Sequence, residues 1–457
     1  MGDQEDGPGG TVNERVANEV EQAIGEVARE AYGRLLSRVA ARDGDLAAAE
    51  DALSEAFASA LVAWRRNGIP DRPQAWLTTA ARRKRIDQER TWHARHRTEL
   101  SADVAADAPS PTVAVDEPDM VDKRLELMFV CAHPAIDAGV RTPLMLQTVL
   151  GLPAHQIASA FLVAPSTMAA RLLRAKRKVR DAKIPFGVPD ESGLEARLGS
   201  VMESIYAAFI LGNDPVHGDA GPLLAEASWL ASILVKCLDD RMPVPQRAEA
   251  MGLLSMAEFI SARRSSSSLQ RSLPRSLSTR TSPGERSKGS TMTDVSVYVP
   301  LADQPTSGWD GDLIRRADDR LKRAAKLRVV GFYQLQAAIQ SVHCDRRRTG
   351  RTDWSAIRHL YLGLCRVCSD SAPPTSVIIG LASAHCHCDH PEEALTLLAK
   401  VPDQFRRRSS AYHSVAAEAQ RRLGRSSEAR SHYRSALGLC ESPAVRNWLV
   451  GRIRDCR

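Results

Sequence analysis

With 457 residues and a 43% apolar fraction, the chain has room for roughly three domains and a sizeable core, and its sparse aromatics beside plentiful Ala, Arg and Leu favour helices over sheets. A net charge of +7 and a pI near 9.0 permit nucleic-acid binding without proving it. Nine scattered cysteines imply no disulfide framework, the start MGDQEDGPGG lacks the order of a signal peptide, and no apolar run approaches bilayer length, so a reducing cytoplasm and no membrane are expected.

The charge is uneven. Basic blocks lie at Arg82–Arg97, Arg171–Lys183 and Arg263–Lys288, whereas Glu99–Asp122 carries seven carboxylates and no Lys or Arg. Residues 1–12, Gly-rich and polar, are expected to be disordered. From about Glu14 to Trp64 the pattern is helical, with Leu46, Ala49, Leu53, Phe57, Ala60, Leu61 and Trp64 at three- and four-residue steps. Gly68, Pro70 and Pro73 interrupt it, and a further helix is expected from about Gln74 to His93. Residues 98–122 read as an acidic linker, and helices resume over 123–184 and 190–260. Residues 261–308, mostly Ser and Arg at first, read as a flexible segment, and helices return over 309–457.

The strongest local signal is Ala154–Lys183. Ile157, Ala158 and Phe161 give a short amphipathic helix, and Leu162, Val163 and Ala164 supply a turn. Pro165 suits the first turn of a second helix and Ser166 its cap. On that helix Met168, Leu172, Ala175 and Val179 form an apolar stripe, opposite Thr167, Arg171, Arg174 and Lys178, while Lys176, Arg177 and Arg180 thicken the charge. A short helix, a tight turn and a basic second helix make a helix-turn-helix, whose second helix enters the major groove and reads bases near its start. A solvated, Arg-rich surface helix would show the same pattern.

The order of segments resembles sigma factors of the extracytoplasmic-function (ECF) type. The segment AEDALSEAFASAL, Ala49–Leu61, looks like that family's helix for the polymerase clamp, which implies that Asp51, Ser54 and Glu55 bind core RNA polymerase; the family usually has Gln where Ser54 stands. The segment PQAWLTTAARRKRID, Pro73–Asp87, is similar to the promoter-melting helix. This implies that Arg82, Arg83 and Arg85, with Asn67 in the preceding loop, meet promoter DNA at the minus-ten element. The helix-turn-helix resembles the fourth conserved region, which implies minus-thirty-five contacts from Ser166, Thr167, Arg171, Arg174 and Lys178. By the same resemblance the acidic linker threads the RNA exit channel; a solvated tether fits its composition equally.

CAHPAI (Cys131–Ile136), WDGDLIRRA (Trp309–Ala317), LQAAI (Leu335–Ile339) and TDW (Thr352–Trp354) resemble one ECF subgroup with a C-terminal TPR-like helical extension. That subgroup's F-N-E-G-Y stretch stands here as FILGN, Phe209–Asn213. Ala411–Leu439 reads as one TPR-like hairpin, with Gly424 at the turn and Ala429, Tyr433 and Ala436 at small-large-small spacing; PEEALTLLAKV, Pro391–Val401, reads as the second helix of the preceding repeat. Such stacks bind protein partners or serve as structural caps.

Cys365 and Cys368, with His385-Cys386-His387-Cys388-Asp389-His390, have zinc-ligand chemistry, but the second half lacks a standard spacing, and cysteine also packs well between helices. His133 and Asp137 read as caps or surface groups. No phosphate loop, triad or acidic pair has supporting context, so no catalytic residue, metal or cofactor is expected. The fold class expected is all-α: a region 2 domain at 13–97, the linker, a region 4 helix-turn-helix at 123–184 and the helical extension. The function expected is promoter-specific initiation with core RNA polymerase. A stand-alone helix-turn-helix regulator with a partner-binding extension, or a TPR-type scaffold, are the rivals.

Overall fold

The computed structural model describes residues 9–42, 44–96, 122–213, 221–270, 298–368 and 373–456, and among them the regular structure is entirely helical. Most of the acidic linker and residues 271–297 of the Ser/Arg-rich segment lie outside the described residues. The chain divides into two compact units, Met1–Ala208 and Phe209–Arg457.

In the first unit, α1 (Gly9–Ala40), α2 (Leu46–Asn67) and α3 (Pro73–His96) pack together. Helix α1 begins inside the Gly-rich stretch expected to be disordered. Asp45 caps α2 by accepting from the Ala48 amide at 3.1 Å. The stripe Leu46, Ala49, Leu53, Ala56, Ala60 and Trp64 is buried, as its spacing demands. Gly68, at φ +81°, ends α2 by returning its N–H to the Trp64 carbonyl.

Helix α4 (Lys123–Cys131) is buried on every side from Arg124 to Cys131. Its charges are paired locally: Arg124 bonds to Asp122, and Lys123 to Glu126. Helix α5 (Ala138–Thr148) follows, capped by Asp137 on the Gly139 amide. Next come α6 (Ala154–Ala160), α7 (Pro165–Asp181) and α8 (Glu191–Asn213). The break at Pro185, Gly187 and Pro189 is not the unit boundary. Leu194, Leu198, Val201 and Ile205 of α8 are buried, and Arg197 donates to the Phe129 carbonyl of α4.

The second unit opens with α9 (Gly221–Leu238) and α10 (Val244–Gln270). The 21 residues Gly221–Arg241 are long and apolar enough to cross a membrane, by length and composition, which corrects the sequence expectation. Leu224, Ala227, Leu230, Ala231, Leu234 and Leu238 on this helix are nevertheless buried in the protein, and α9 packs on α10. Helix α10 also overturns part of the flexible reading of 261–308. Ala262 is buried, and Arg263 bonds to Gln340 and Cys344.

Helices α11 (Gly311–Lys326) and α12 (Phe332–Thr349) pack on α10. Glu249 of α10 caps α12 from outside, accepting from the Tyr333 and Gln334 amides at 2.9 and 3.2 Å. Burial pushes this carboxyl upward, and the amide donors pull against it. Helices α13 (Trp354–Val367), α14 (Thr375–His387), α15 (Pro391–Leu398) and α16 (Asp403–Arg406) continue the stack, and α17 (Ser410–Arg422), α18 (Ser426–Gly438) and α19 (Pro443–Asp455) close it. Gly424 turns α17 into α18 at φ +74°, and Ala429, Tyr433 and Ala436 are buried between helices. Glu418 ties this end together by accepting from Arg421, Arg422 and Arg452. Its burial works to raise the carboxyl, but the arginine hydrogen bonds outweigh it and hold the group at about 2.

One buried titration gives the second unit an acid sensitivity. His343 lies edge-on to Trp354, and burial, with help from Arg263, Arg346 and His387, lowers its pKa to about 3. In the unfolded chain the ring protonates near pH 6.5. The stability is therefore complete above that pH and is lost as pH falls toward 3, because only the unfolded chain takes up the proton. The limiting slope for one such group is about 1.4 kcal/mol per pH unit, and partial exposure of the ring reduces it. Urea unfolding of the second unit, followed by hydrogen exchange on α12, should weaken by about 1 kcal/mol per unit between pH 6 and 4. His343→Phe should flatten that slope; an unchanged slope would refute the assignment.

Candidate nucleic-acid interface

Three exposed faces of the first unit carry the residues that the sequence pattern points to. On α2, burial of the Leu46–Trp64 stripe turns Asp51, Ser54 and Glu55 to solvent. Glu55 pairs with Lys84 of α3 at 3.4 Å. On α3, Arg82 and Arg83 are exposed, whereas Arg85 is buried and turned toward Gln88 and Glu89. Asn67 is exposed at the end of α2, where an open cavity of about 580 Å³ is lined by Glu55, Ser59, Val62, Arg66, Asn67 and Lys84. The sequence pattern did not point to Arg66 and Lys84. Their signal was the helical step that sets Lys84 beside Glu55 and Arg66 beside Asn67.

The third face is α7. Helices α6 and α7 meet at 111°, within the range of helix-turn-helix pairs. Leu162 makes the turn at φ +55°, a left-handed conformation that a branched side chain adopts at a cost. Pro165 is the first helical residue, but Ser166 is not the cap: Ala164 holds that position, with no side-chain hydrogen bond. Met168, Leu172, Ala175 and Val179 are buried, and Ser166, Thr167, Arg171, Arg174 and Lys178 are exposed. Arg171, Arg174 and Lys178 line a cavity of about 560 Å³ with Ile136, Asp137 and Gly139. The start of α5 opens into it, and the positive end of that helix adds to the three cations. The groove is chemically suited to a polyanion.

Lys176 does not thicken this charge. Its side chain is 8% exposed and its ammonium lies 2.5 Å from the Glu50 carboxylate of α2. The helical stripe predicted for α7 omitted this position, and the partner is 126 residues away.

The Cys and His residues of the second unit take structural places. Cys386 is buried among Ala382, Ala394 and Leu398, and the His387 ring stacks on Trp354 at 3.7 Å. Among the described residues no three His, Cys, Asp or Glu side chains come together to hold a metal ion.

Residues 28–96 match the sigma-70 region 2 family. An uncharacterized protein of Rhizobium meliloti is 31% identical over 427 residues, which cover 92% of each chain. This chain belongs to one family with that protein, and its N-terminal part is a sigma-70 region 2 domain. The probable ECF RNA polymerase sigma factor SigI of Mycobacterium tuberculosis is 30% identical over 149 residues, 32% of this chain and half the length of that protein. No solved structure matches the chain. The region 2 domain contains Asp51, Ser54, Glu55, Asn67, Arg82, Arg83 and Arg85; the five helix-turn-helix residues lie beyond it.

Proposed function

We propose that the chain is a cytoplasmic sigma factor of the ECF type, which binds core RNA polymerase and directs it to a promoter. The observation that carries this reading is the match of residues 28–96 to sigma-70 region 2, coupled to a basic helix-turn-helix in the same compact unit. Asp51, Ser54 and Glu55 form the polymerase-binding face. Asn67, Arg82 and Arg83 meet the minus-ten element, and Ser166, Thr167, Arg171, Arg174 and Lys178 meet the minus-thirty-five element. Bond-breaking chemistry belongs to the polymerase. The second unit is a TPR-like extension that binds a protein partner, a reading supported by the α17–α18 hairpin and by exposed Leu362 and Val367 on α13.

Reconstituted transcription with core polymerase tests the reading, since a stand-alone regulator would bind duplex DNA yet direct no initiation. Reversing the charges of Asp51 and Glu55 should weaken assembly with core polymerase while helicity is kept. Unchanged co-purification would reject the α2 face. Arg171→Ala and Arg174→Ala should each weaken minus-thirty-five binding by about 1–3 kcal/mol, with a loss of base preference if the side chain reads a base and a shallower salt dependence if it holds phosphate. Footprints unaltered in both variants would remove α7 from the interface.

A further inference from the structure

Within the first unit, the region 2 helices and the helix-turn-helix are packed against each other. Helix α2 touches α7, and α1 touches α4 and α5. At Gly33 of α1 the approach is so close that a Cβ would lie 1.7 Å from the Val149 carbonyl oxygen. Gly151 meets the Tyr32 ring nearby. Where these helices meet, Lys176 of α7 reaches Glu50 of α2, with side chains 8% and 18% exposed. Tyr32 of α1 and Cys131 of α4 lie close enough to feel the Glu50 charge.

This packed arrangement conflicts with the work of a sigma factor on a promoter. Two helices in contact have axes about 8–10 Å apart. The minus-ten and minus-thirty-five elements are separated by roughly 80 Å of duplex, at about 3.4 Å per base pair. Helices α2 and α7 cannot touch and also serve both elements of one promoter. The chain between His96 and Asp122 has enough residues to let them part, since extended chain spans about 3.3–3.6 Å per residue.

Taking the chain as a sigma factor, on which the idea depends, we propose that Glu50 and Lys176 form a latch. It holds the two DNA-binding parts together in the free protein and is broken when the chain engages polymerase and promoter. An ion pair suits a contact that must open. Taking both charges out of water offsets much of their attraction, and on opening each regains its hydration, so neither state is strongly favoured. The closed state also leaves the Oε1 oxygen of Glu50 buried, with no hydrogen-bond partner among the described residues. The working faces stay exposed while the latch is shut: Asp51, Ser54 and Glu55 on α2, and Arg171, Arg174 and Lys178 on α7. Polymerase can therefore grip the closed protein first and draw it open.

The test uses the full chain and a zero-length carbodiimide, which joins an amine to a carboxylate only where the two touch. The Lys176–Glu50 crosslink, quantified by peptide mass spectrometry, should form in the free protein and fall at least tenfold in the complex with core polymerase and promoter duplex. Lys176→Glu sets two carboxylates together, and should speed formation of that complex about tenfold. The exchanged pair Glu50→Lys with Lys176→Glu should return the rate to within about twofold of the original. A contact that only stabilises the fold would give slower assembly in Lys176→Glu. That result, or no crosslink in the free chain, or equal crosslinking in the complex, overturns the latch. If the complex forms but the crosslink persists, the latch alone falls. If no form of the chain assembles with core polymerase, the sigma-factor reading falls and takes the latch with it.

Discussion

Gly33→Ala should destabilise the first unit by about 3 kcal/mol, at the upper end of the range for overpacked sites. Adding a methyl group to a helix interior is ordinarily favourable, because alanine has the higher helix propensity by about 1 kcal/mol. Here the new Cβ would sit 1.7 Å from the Val149 oxygen and 2.6 Å from its carbonyl carbon. The obstacle is backbone, which no rotamer change removes, so α1 and the end of α5 must separate. Gly199 in α8 is the internal control, since nothing lies within 4 Å of the position its Cβ would occupy. Gly199→Ala should gain up to about 1 kcal/mol from propensity alone. Urea unfolding of the first unit, read by hydrogen exchange on α4, measures both. Equal effects at the two glycines would mean that the α1–α5 approach is not a real constraint. Because the seam at Gly33 is also the one that must open on a promoter, Gly33→Ala should lower the Lys176–Glu50 crosslink as well.

What could be read from sequence were features written in neighbouring residues. The apolar stripe of α2, the turn at Leu162, the Asp137 cap and the small-large-small packing of Ala429, Tyr433 and Ala436 all follow from periods of three or four residues, and the structure shows each. What could not be read depended on distant partners or on averaging. Lys176 looked like one more surface cation because its partner, Glu50, belongs to another helix. Arg85 sits in a basic run whose composition says exposed, yet it is buried beside Gln88 and Glu89. The Ser/Arg-rich composition after Ile260 hid Ala262 and Arg263, which complete the packing of α10. The Pro and Gly residues at 185–189 mark a break in helix but not in the unit, because Arg197 ties α8 back to α4. A truncation meant to free the DNA-binding unit should therefore end near Ala208 rather than Pro189.

Trp64→Ala should be the most damaging single truncation in the region 2 domain, at about 3–5 kcal/mol, the range for deleting a large buried aromatic. Trp64 is 1% exposed and lies edge-on to Trp76 of α3, with ring centroids 5.7 Å apart. It is the last buried residue of α2, and its carbonyl accepts the Gly68 N–H that ends the helix. The cavity left by alanine would open where α2 turns toward α3, directly behind Asn67. The cost should come from packing rather than hydrogen bonding, because the indole Nε1 has no partner among the described residues. Trp64→Phe keeps an aromatic edge against Trp76 and removes that unpaired donor, so it should cost less than about 1.5 kcal/mol. The two variants separate stability from function. If the ring only fills space, Trp64→Phe should retain the original strand opening at a minus-ten element, measured by permanganate reactivity of unpaired thymines in the polymerase complex. Trp64→Ala should lose it even at temperatures where α1 and α3 remain folded by hydrogen exchange, because the Asn67 loop has lost its backing. Equal stability losses in the two variants would show that Trp64 is held by an unseen partner of its indole nitrogen rather than by its packing on Trp76.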